Sequence, residues 1–490
     1  MRRLADHPAA AWVLAAVALA IAAIGARPYA GGWNDGCRLA AVESLLDRGT
    51  LAIDDSVFCQ CPQHLIDAGH ASYPADRPDL LQFGTLDKLY VRGHFHSDKP
   101  AVVSVLMAGM YQPLIWLGLP RPGERPDTFA WVLTILTSGI GSAAAVGCLW
   151  VLGRRVGLEP RWRLVWLAAF ALATIAPTYT RHVNNHAMQL GVVAGMCVLM
   201  LRIADATRAA RTEWGSLVGL GTLAGLGFNL DFGSGPLLVA VTFGAVAWRT
   251  RRIGPLLAYS LAVLPWVVAG IGLNYAIGGT WLPPNMDPEN FRYPGSQFST
   301  ANLTGFRRHG PIDQLRYAGG LLFDTRGFLV HNLPLLLAGA AGWRVLCRSF
   351  PGRGELLALL GWCVGTWLLY AVLSNNYGGA CCSVRWFVPF LAPGFWLLAL
   401  LLRDGPELRA DFVALSAWGV VLAGIAWWGG PWIVRMVPGL WFVVGAAVLT
   451  WGTVAYRRLR RAARDQRTEV RVQKTGDRDQ KPEDRGRKAA

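Results

Sequence analysis

Apolar residues along this chain come in long blocks, not in the short periodic patterns of a water-soluble core. The first block runs from Ala9 to Ala26, and others follow at about 101–119, 129–151, 164–179, 187–203, 215–230, 236–248, 254–276, 327–343, 355–373, 386–402, 411–428 and 432–455. Most approach the roughly 20 residues that a helix needs to cross a bilayer, and a helix satisfies all its own backbone groups there. The pattern predicts an all-α polytopic membrane protein. The start, MRRLADHPAAAWVLAAVALAIAAIGARPYA, also has the make-up of a secretory leader. Its apolar stretch is long enough to span, so it is read as the first membrane helix.

The number of crossings follows from where the arginines fall, because Lys and Arg in short loops mark the cytoplasmic side and the sides must alternate. The basic connections are GRRVGLEPRWR after Leu152, the stretch Arg202 to Arg211, WRTRRIG around Arg251, Arg344 to Arg353, and the tail that opens YRRLRRAARDQR. They share one side with Arg2 and Arg3 only if the 101–119 block does not cross. Pro100 suits the first turn of a helix, and Pro113 is expected to break its middle. The expected frame is therefore about 12 transmembrane helices plus an interfacial or re-entrant helix, with both termini cytoplasmic. Two long extracytoplasmic loops, 28–128 and 278–326, belong to a membrane domain of residues 1–455, and 456–490 reads as a disordered basic cytoplasmic tail.

Composition narrows the class. With 53% hydrophobic and only 16% charged residues in 490, a soluble multidomain enzyme is excluded, since soluble domains carry about a quarter of their residues as charged ones. The net charge of +16 sits in the tail and the short loops, so it reads as an orientation signal and not as a nucleic-acid surface. High Arg, Ala and Gly with few Lys suggests a GC-rich bacterial genome, which puts the chain in the inner (plasma) membrane. Cys37, Cys59, Cys61, Cys381 and Cys382 fall on the outer, oxidising side, where one or two disulfides are expected.

Chemistry-bearing residues gather on that same side. All histidines but His7 lie on or near it: His64, His70, His94, His96, His182, His186, His309 and His331. So do Asp35, Asp54, Asp55, Asp87, Asp98 and Asp231. Asp35, in GGWNDGCRLAAVESLLDRGTLAID, follows the first span and could act as a general base on an acceptor hydroxyl. The structural alternative is a helix cap with Arg38 as its salt partner. FGTLDKLYVRGHFHSDKPAVVS places Asp87, Lys88, Arg92, His94, His96, Asp98 and Lys99 together, a set able to hold a lipid phosphate, against simple snorkelling at the interface. In PTYTRHVNNHAMQL, Arg181, His182, Asn184, Asn185 and His186 cluster, and the two histidines at i, i+4 could share a helical face and a metal. CQCPQHLIDAGH offers metal-ligand types at loose spacing. SNNYGGACCSVRWFVPFLAPG offers Asn375, Asn376, Tyr377 and Arg385, the last a candidate for an anionic head group.

Three of these stretches, WNDGCRLAAVESLLDRGTLAID, GHFHSDKPAVVSVL and YGGACCSVRWFVPFLAPG, together resemble the GT-C superfamily of membrane glycosyltransferases. The group includes bacterial aminoarabinose transferases, protein O-mannosyltransferases and actinobacterial arabinosyl or mannosyl transferases. The resemblance implies a GT-C-like fold and a polyprenyl-phosphate sugar donor. It also implies inverting transfer to a glycan, lipid or protein acceptor on the extracytoplasmic face, in cell-envelope or cell-wall biogenesis. Asp35 matches the family's first-loop base, and Lys99 and Arg385, with Lys88, match its donor phosphate-binding residues. Arg38, Asp87, His94, His96, Asp98, His182, Asn185, His186 and Tyr377 are the expected substrate-binding residues. Where many relatives carry an acidic pair, this chain has Asn34 and Asp35, and the turn TRHVNNHAMQL lacks the usual second carboxylate. No cofactor is fixed; a divalent cation, magnesium or manganese, is the one to test. A flippase or transporter of lipid-linked glycans, a glycan ligase and a non-catalytic assembly subunit are the competing classes. Charges avoid the helix middles and no internal repeat is evident, which weighs against a transporter.

Overall fold

The computed structural model describes residues 7, 9–305, 310–432 and 436–479; His309, Arg2, Arg3 and the end of the tail lie outside the described residues. Among the described residues, seven helices are long and apolar enough to cross a membrane: Pro126–Arg155, Asn185–Arg208, Ile253–Gly278, Arg353–Leu373, Arg385–Asp404, Pro406–Gly429 and Leu440–Arg464. The chain is a multi-pass membrane protein. Its principal helices are α1 (Ala10–Gly25), α2 (Trp33–Arg48), α3 (Ala101–Trp116), α4 (Pro126–Thr134, continued through a π-helical turn into Ile140–Arg155) and α5 (Pro160–Leu172). There follow α6 (Asn185–Arg208), α7 (Trp214–Leu230), α8 (Ser234–Thr250), α9 (Ile253–Gly278) and α10 (Pro311–Phe323). The last are α11 (Pro334–Ala341), α12 (Arg353–Leu373), α13 (Leu391–Asp404), α14 (Arg409–Gly429) and α15 (Leu440–Asp479).

Polar ties collect the connections into two sets. In one, Arg155 pairs with Asp205 at 3.0 Å, Arg249 with Glu355 at 2.5 Å and Arg458 with Asp411 at 3.1 Å, and Arg403 donates to the Val156 carbonyl at 2.8 Å. This set holds the arginine-rich turns. The other joins the long loops to the remaining turns: Arg27 to Arg181, Ala30 to Ser72, Val384 to Arg326 and Cys382 to Pro431 through backbone bonds, with Tyr179 Oη donating to the Ser383 carbonyl. The chemistry-bearing residues belong to this second set.

Helix α6 is, after Arg385–Asp404, the most enclosed of the seven long helices, and small residues let its neighbour approach. A Cβ on Gly191 would lie 2.5 Å from the Gly141 carbonyl oxygen, and one on Gly141 would lie 2.6 Å from the Ala187 carbonyl oxygen. Helices α4 and α6 therefore touch backbone to backbone, the usual role of small residues between membrane helices. One turn away, Ser138 in the π-helical turn accepts from Asn184 N at 2.7 Å and donates to the His182 carbonyl at 2.8 Å. The start of α6 is thus pinned against α4.

Four sequence expectations need correction. The fold is not purely helical: β1 (Lys88–Val91) and β2 (His94–Ser97) form an antiparallel hairpin, with Lys88 opposite Ser97. Arg92 and Gly93 both take positive φ at its two-residue turn, the backbone such tight hairpins require. Pro113 does not break α3; the helix continues to Trp116, because a proline so near the end forfeits only one hydrogen bond before the chain turns. The backbone is helical to Asp479, since 456–475 is rich in Arg, Ala, Gln and Glu and has neither Gly nor Pro. All nine cysteines are free thiols, the outer ones held locally: Cys37 Sγ lies 3.3 Å from the Asn34 carbonyl, and Cys381 Sγ 3.0 Å from that of Ser383.

Replacing Gly191 with Val should force α4 and α6 apart and cost about 1–3 kcal/mol, the usual range for overpacking. The checking measurement is the thermal unfolding midpoint in detergent, where Gly191→Val should melt clearly below the unaltered protein.

Candidate functional site

The site starts at the N-terminus of α2. Asp35 is the third residue of that helix and reaches back to its entry, where its carboxylate accepts from Gly31 N at 2.7 Å and Gly32 N at 3.0 Å. It is fully buried, at 0% exposure. The capping role weighed from sequence is present, but Arg38 is not the partner. The group across from the carboxylate is His182, with Nδ1 3.1 Å from Asp35 Oδ2. The ring lies off the ideal hydrogen-bond line, as catalytic contacts often do before substrate binds.

Arg38, one turn further along α2, is buried and crosses to α6, donating from Nη2 to Asn185 Oδ1 at 2.8 Å. Asn185 in turn donates to the Leu230 carbonyl at 2.6 Å. Nε and Nη1 of Arg38 have no partner. Burial lowers the Arg38 pKa, and the positive charge of nearby Arg385 adds to the effect. Arg385 itself makes no hydrogen bond to a described residue; its guanidinium stands 5.7 Å over the Trp432 ring, and its buried Nε is unpaired. Two guanidiniums thus face the same interior with donors to spare.

The two histidines do not share a helical face. Asn184 caps α6, accepting from His186 N and Ala187 N, so the helix begins at Asn185 and leaves His182 in the turn before it. His186 looks instead toward Asp231, with Nδ1 3.6 Å from Oδ2. Asp231 accepts from Gly233 N at 2.8 Å and from Tyr370 Oη at 2.7 Å. Asp231, from the α7–α8 connection, thus brings a carboxylate up to the turn that carries His186. Histidines 182 and 186 each oppose a different buried carboxylate, which argues against a shared metal.

The hairpin builds the third part. Its register sets Asp87 and Asp98 side by side just beyond the Lys88–Ser97 pair, and Lys99 Nζ sits between them at 2.9 and 2.6 Å. Burial alone would raise the Asp87 pKa, but the ammonium outweighs it and holds that carboxyl below its ordinary value. Burial leaves Asp98 above its ordinary value. Burial works against the Lys99 charge, but the two carboxylates prevail and raise its pKa. Cys37 Sγ is 3.4 Å from Asp98, and Cys37, Asp87 and Asp98 have ligand atoms within 4.8 Å of one another. A divalent cation does not fit this set as arranged, because the Lys99 ammonium already occupies the space between the two carboxylates, 2.9 and 2.6 Å from them.

The remaining candidates lie elsewhere. Lys88 stacks on Phe95 at 4.4 Å. His94 is exposed beside Asp54 at 3.3 Å, and His96 Nδ1 meets the Leu51 carbonyl at 3.1 Å. Burial lowers the His96 pKa. Tyr377 donates to Asp324 at 3.2 Å and lines a separate surface cavity with Arg326, Asn375 and Asn376. The residues of CQCPQHLIDAGH form no metal-ligand group among the described residues. Trp432, Gly31 and Tyr370 carried no signal, since an aromatic or glycine near a membrane surface ordinarily serves as an anchor or a turn.

Fold and site define a multi-pass membrane protein with a buried, charged centre at one end of its helices. No family model matches the chain, and no curated protein sequence does. Among solved structures it is similar to ArnT from Cupriavidus metallidurans bound to undecaprenyl phosphate, at 14% identity and TM-score 0.47 over 93% of this chain and 79% of that one. The apo state of the same enzyme gives 16% identity and TM-score 0.48, over 92% and 77%. The apo oligosaccharyltransferase of Archaeoglobus fulgidus gives 11% and 0.42, over 92% of this chain and 56% of that one.

Replacing Lys99 with Met should leave two largely buried carboxylates facing each other without the ammonium between them. Breaking a buried ion network in this way costs about 3–5 kcal/mol. Lys99→Met should therefore unfold at a markedly lower temperature, and Lys99→Met/Asp98→Asn should regain part of the loss in the same melt.

Proposed function

We propose that the protein is an inverting glycosyltransferase that moves a sugar from a polyprenyl-phosphate donor to an acceptor on the extracytoplasmic side of the membrane. The observation that carries the reading is the pair of incompletely bonded guanidiniums, Arg38 and Arg385, beside the buried Asp35–His182 pair. Buried N–H groups without partners are costly. A phosphate oxyanion satisfies them, and Arg presents the planar fork suited to it. In this reading Arg38 and Arg385 hold the donor phosphate and stabilise the charge that grows on it as the sugar leaves. The Asp35–His182 pair takes the acceptor proton. Asn185 and His186 line the sugar side, and Lys99 positions Asp87 and Asp98, its charge largely spent on them.

The membrane frame in this proposal has twelve crossings, with α3 lying in the interface and the site facing away from the arginine-rich end. A lipid donor then enters from the bilayer and an acceptor from water. The clustering of charged groups at one end of the helices favours this reading over a transporter, whose ionisable groups lie near the midplane.

The test is release of radiolabelled sugar from a panel of polyprenyl-phosphate sugars by the purified protein in lipid. The unaltered protein should release sugar, Asp35→Asn should not, and Arg385→Gln should raise the donor KM at least about tenfold, the loss of one charge-assisted contact. Chelation with EDTA should leave the rate unchanged. A folded protein inactive on every donor would end the proposal.

A further inference from the structure

The atom that accepts the acceptor's proton can be identified more closely, resting on the glycosyltransferase reading above. Asp35 is badly placed to receive a proton from outside. It is 0% exposed, and its two oxygens are turned toward Gly31 N, Gly32 N and His182 Nδ1. His182 is 5% exposed; Nδ1 is buried and faces Asp35 at 3.1 Å off the ideal hydrogen-bond line, and no hydrogen bond to the other nitrogen, Nε2, is found among the described residues. The edge of the ring that bears Nε2 stays bare because residue 31 is glycine: a Cβ there would lie 2.6 Å from Cε1 and 2.8 Å from Nε2. Trp432 walls the same space, 6.4 Å from the imidazole ring, and also carries the Arg385 guanidinium over its face. One aromatic side chain therefore separates the imidazole from a phosphate-seeking arginine.

The geometry points to His182 Nε2 as the proton acceptor, with Asp35 as the positioning residue that keeps the Nδ1 proton in place. A carboxylate opposite Nδ1 selects the tautomer whose Nε2 lone pair is free. In the step, the acceptor oxygen bonds to the anomeric carbon while the bond from that carbon to the donor phosphate oxygen breaks. Its electron pair leaves on the phosphate, which Arg38 and Arg385 hold. The acceptor's proton moves to Nε2, the resulting imidazolium is paired with the Asp35 carboxylate, and the proton is later lost to water.

This assignment separates from a carboxylate base through variants of His182. His182→Gln keeps an N–H donor for Asp35 but has no basic nitrogen. It should lose about 10²–10⁴-fold in transfer, the range for removing a general base, while binding undecaprenyl phosphate in vesicles as the unaltered protein does. His182→Ala should be equally slow and should recover in a dose-dependent way with added imidazole, which a merely structural role would not produce. Gly31→Ala, which crowds Nε2 but leaves both backbone donors to Asp35, should also lose transfer. Transfer by His182→Gln within about threefold of the unaltered protein, or His182→Ala unresponsive to imidazole, would overturn the assignment and return the role to Asp35. An unaltered protein inactive on every donor would instead overturn the glycosyltransferase reading, and this assignment with it.

Discussion

Everything at the polar end of this molecule depends on how Arg38 is kept buried. A guanidinium withdrawn from water must be paired or it destabilises the fold. Arg38 has one good partner, Asn185, and that bond joins the helix of the first long loop to α6, a membrane helix that is itself mostly enclosed. Asn185 is there because α6 starts where it does, capped by Asn184 and pinned through Ser138 to a neighbour that touches it backbone to backbone. The loop helix is docked by a charge, and the docking leaves that charge partly unsatisfied.

The carboxylates are handled differently, each given donors close to home. Asp35 uses the amides at its own helix entry and Asp231 those at the start of α8, while Asp87 and Asp98 share one ammonium. Most carboxylate oxygens in the site have donors, Asp231 Oδ2 excepted, while donors on Arg38 and Arg385 are left over. In the proposed reading an anion satisfies those spare donors, although the centre holds several acidic residues. A count of charges alone would have missed it.

Much of the frame was legible because the bilayer enforces a simple rule: apolar blocks of helical length, with arginines on one side. Asp35, Arg38, Asn185 and Arg385 were legible as polar residues just outside such blocks. The hairpin was not, because Asp87 and Asp98 were read as points on a line, whereas strand pairing sets them abreast. The histidine pair at i, i+4 was misread for a local reason. A spacing rule holds only inside a helix, and the Asn184 cap places the boundary between the two rings. The role of Asp231 opposite His186 came only from packing, since nothing local in NLDFGSGP points to a turn some 45 residues earlier.

The pairing of imidazole with carboxylate also fits the electrostatics of a dry site. Were Asp35 to take the proton itself, the acceptor would have to displace His182 or a backbone amide from its two oxygens. With the proton on His182, the carboxylate keeps its charge and gains a cation to oppose it. In the proposed transfer the negative charge of the departing phosphate appears near arginines with unpaired donors. Each charge created in the step meets a partner already in place, which is where preorganised sites gain most over water. A low-dielectric surrounding magnifies that gain, so burial, costly for every one of these groups alone, becomes useful once they are assembled.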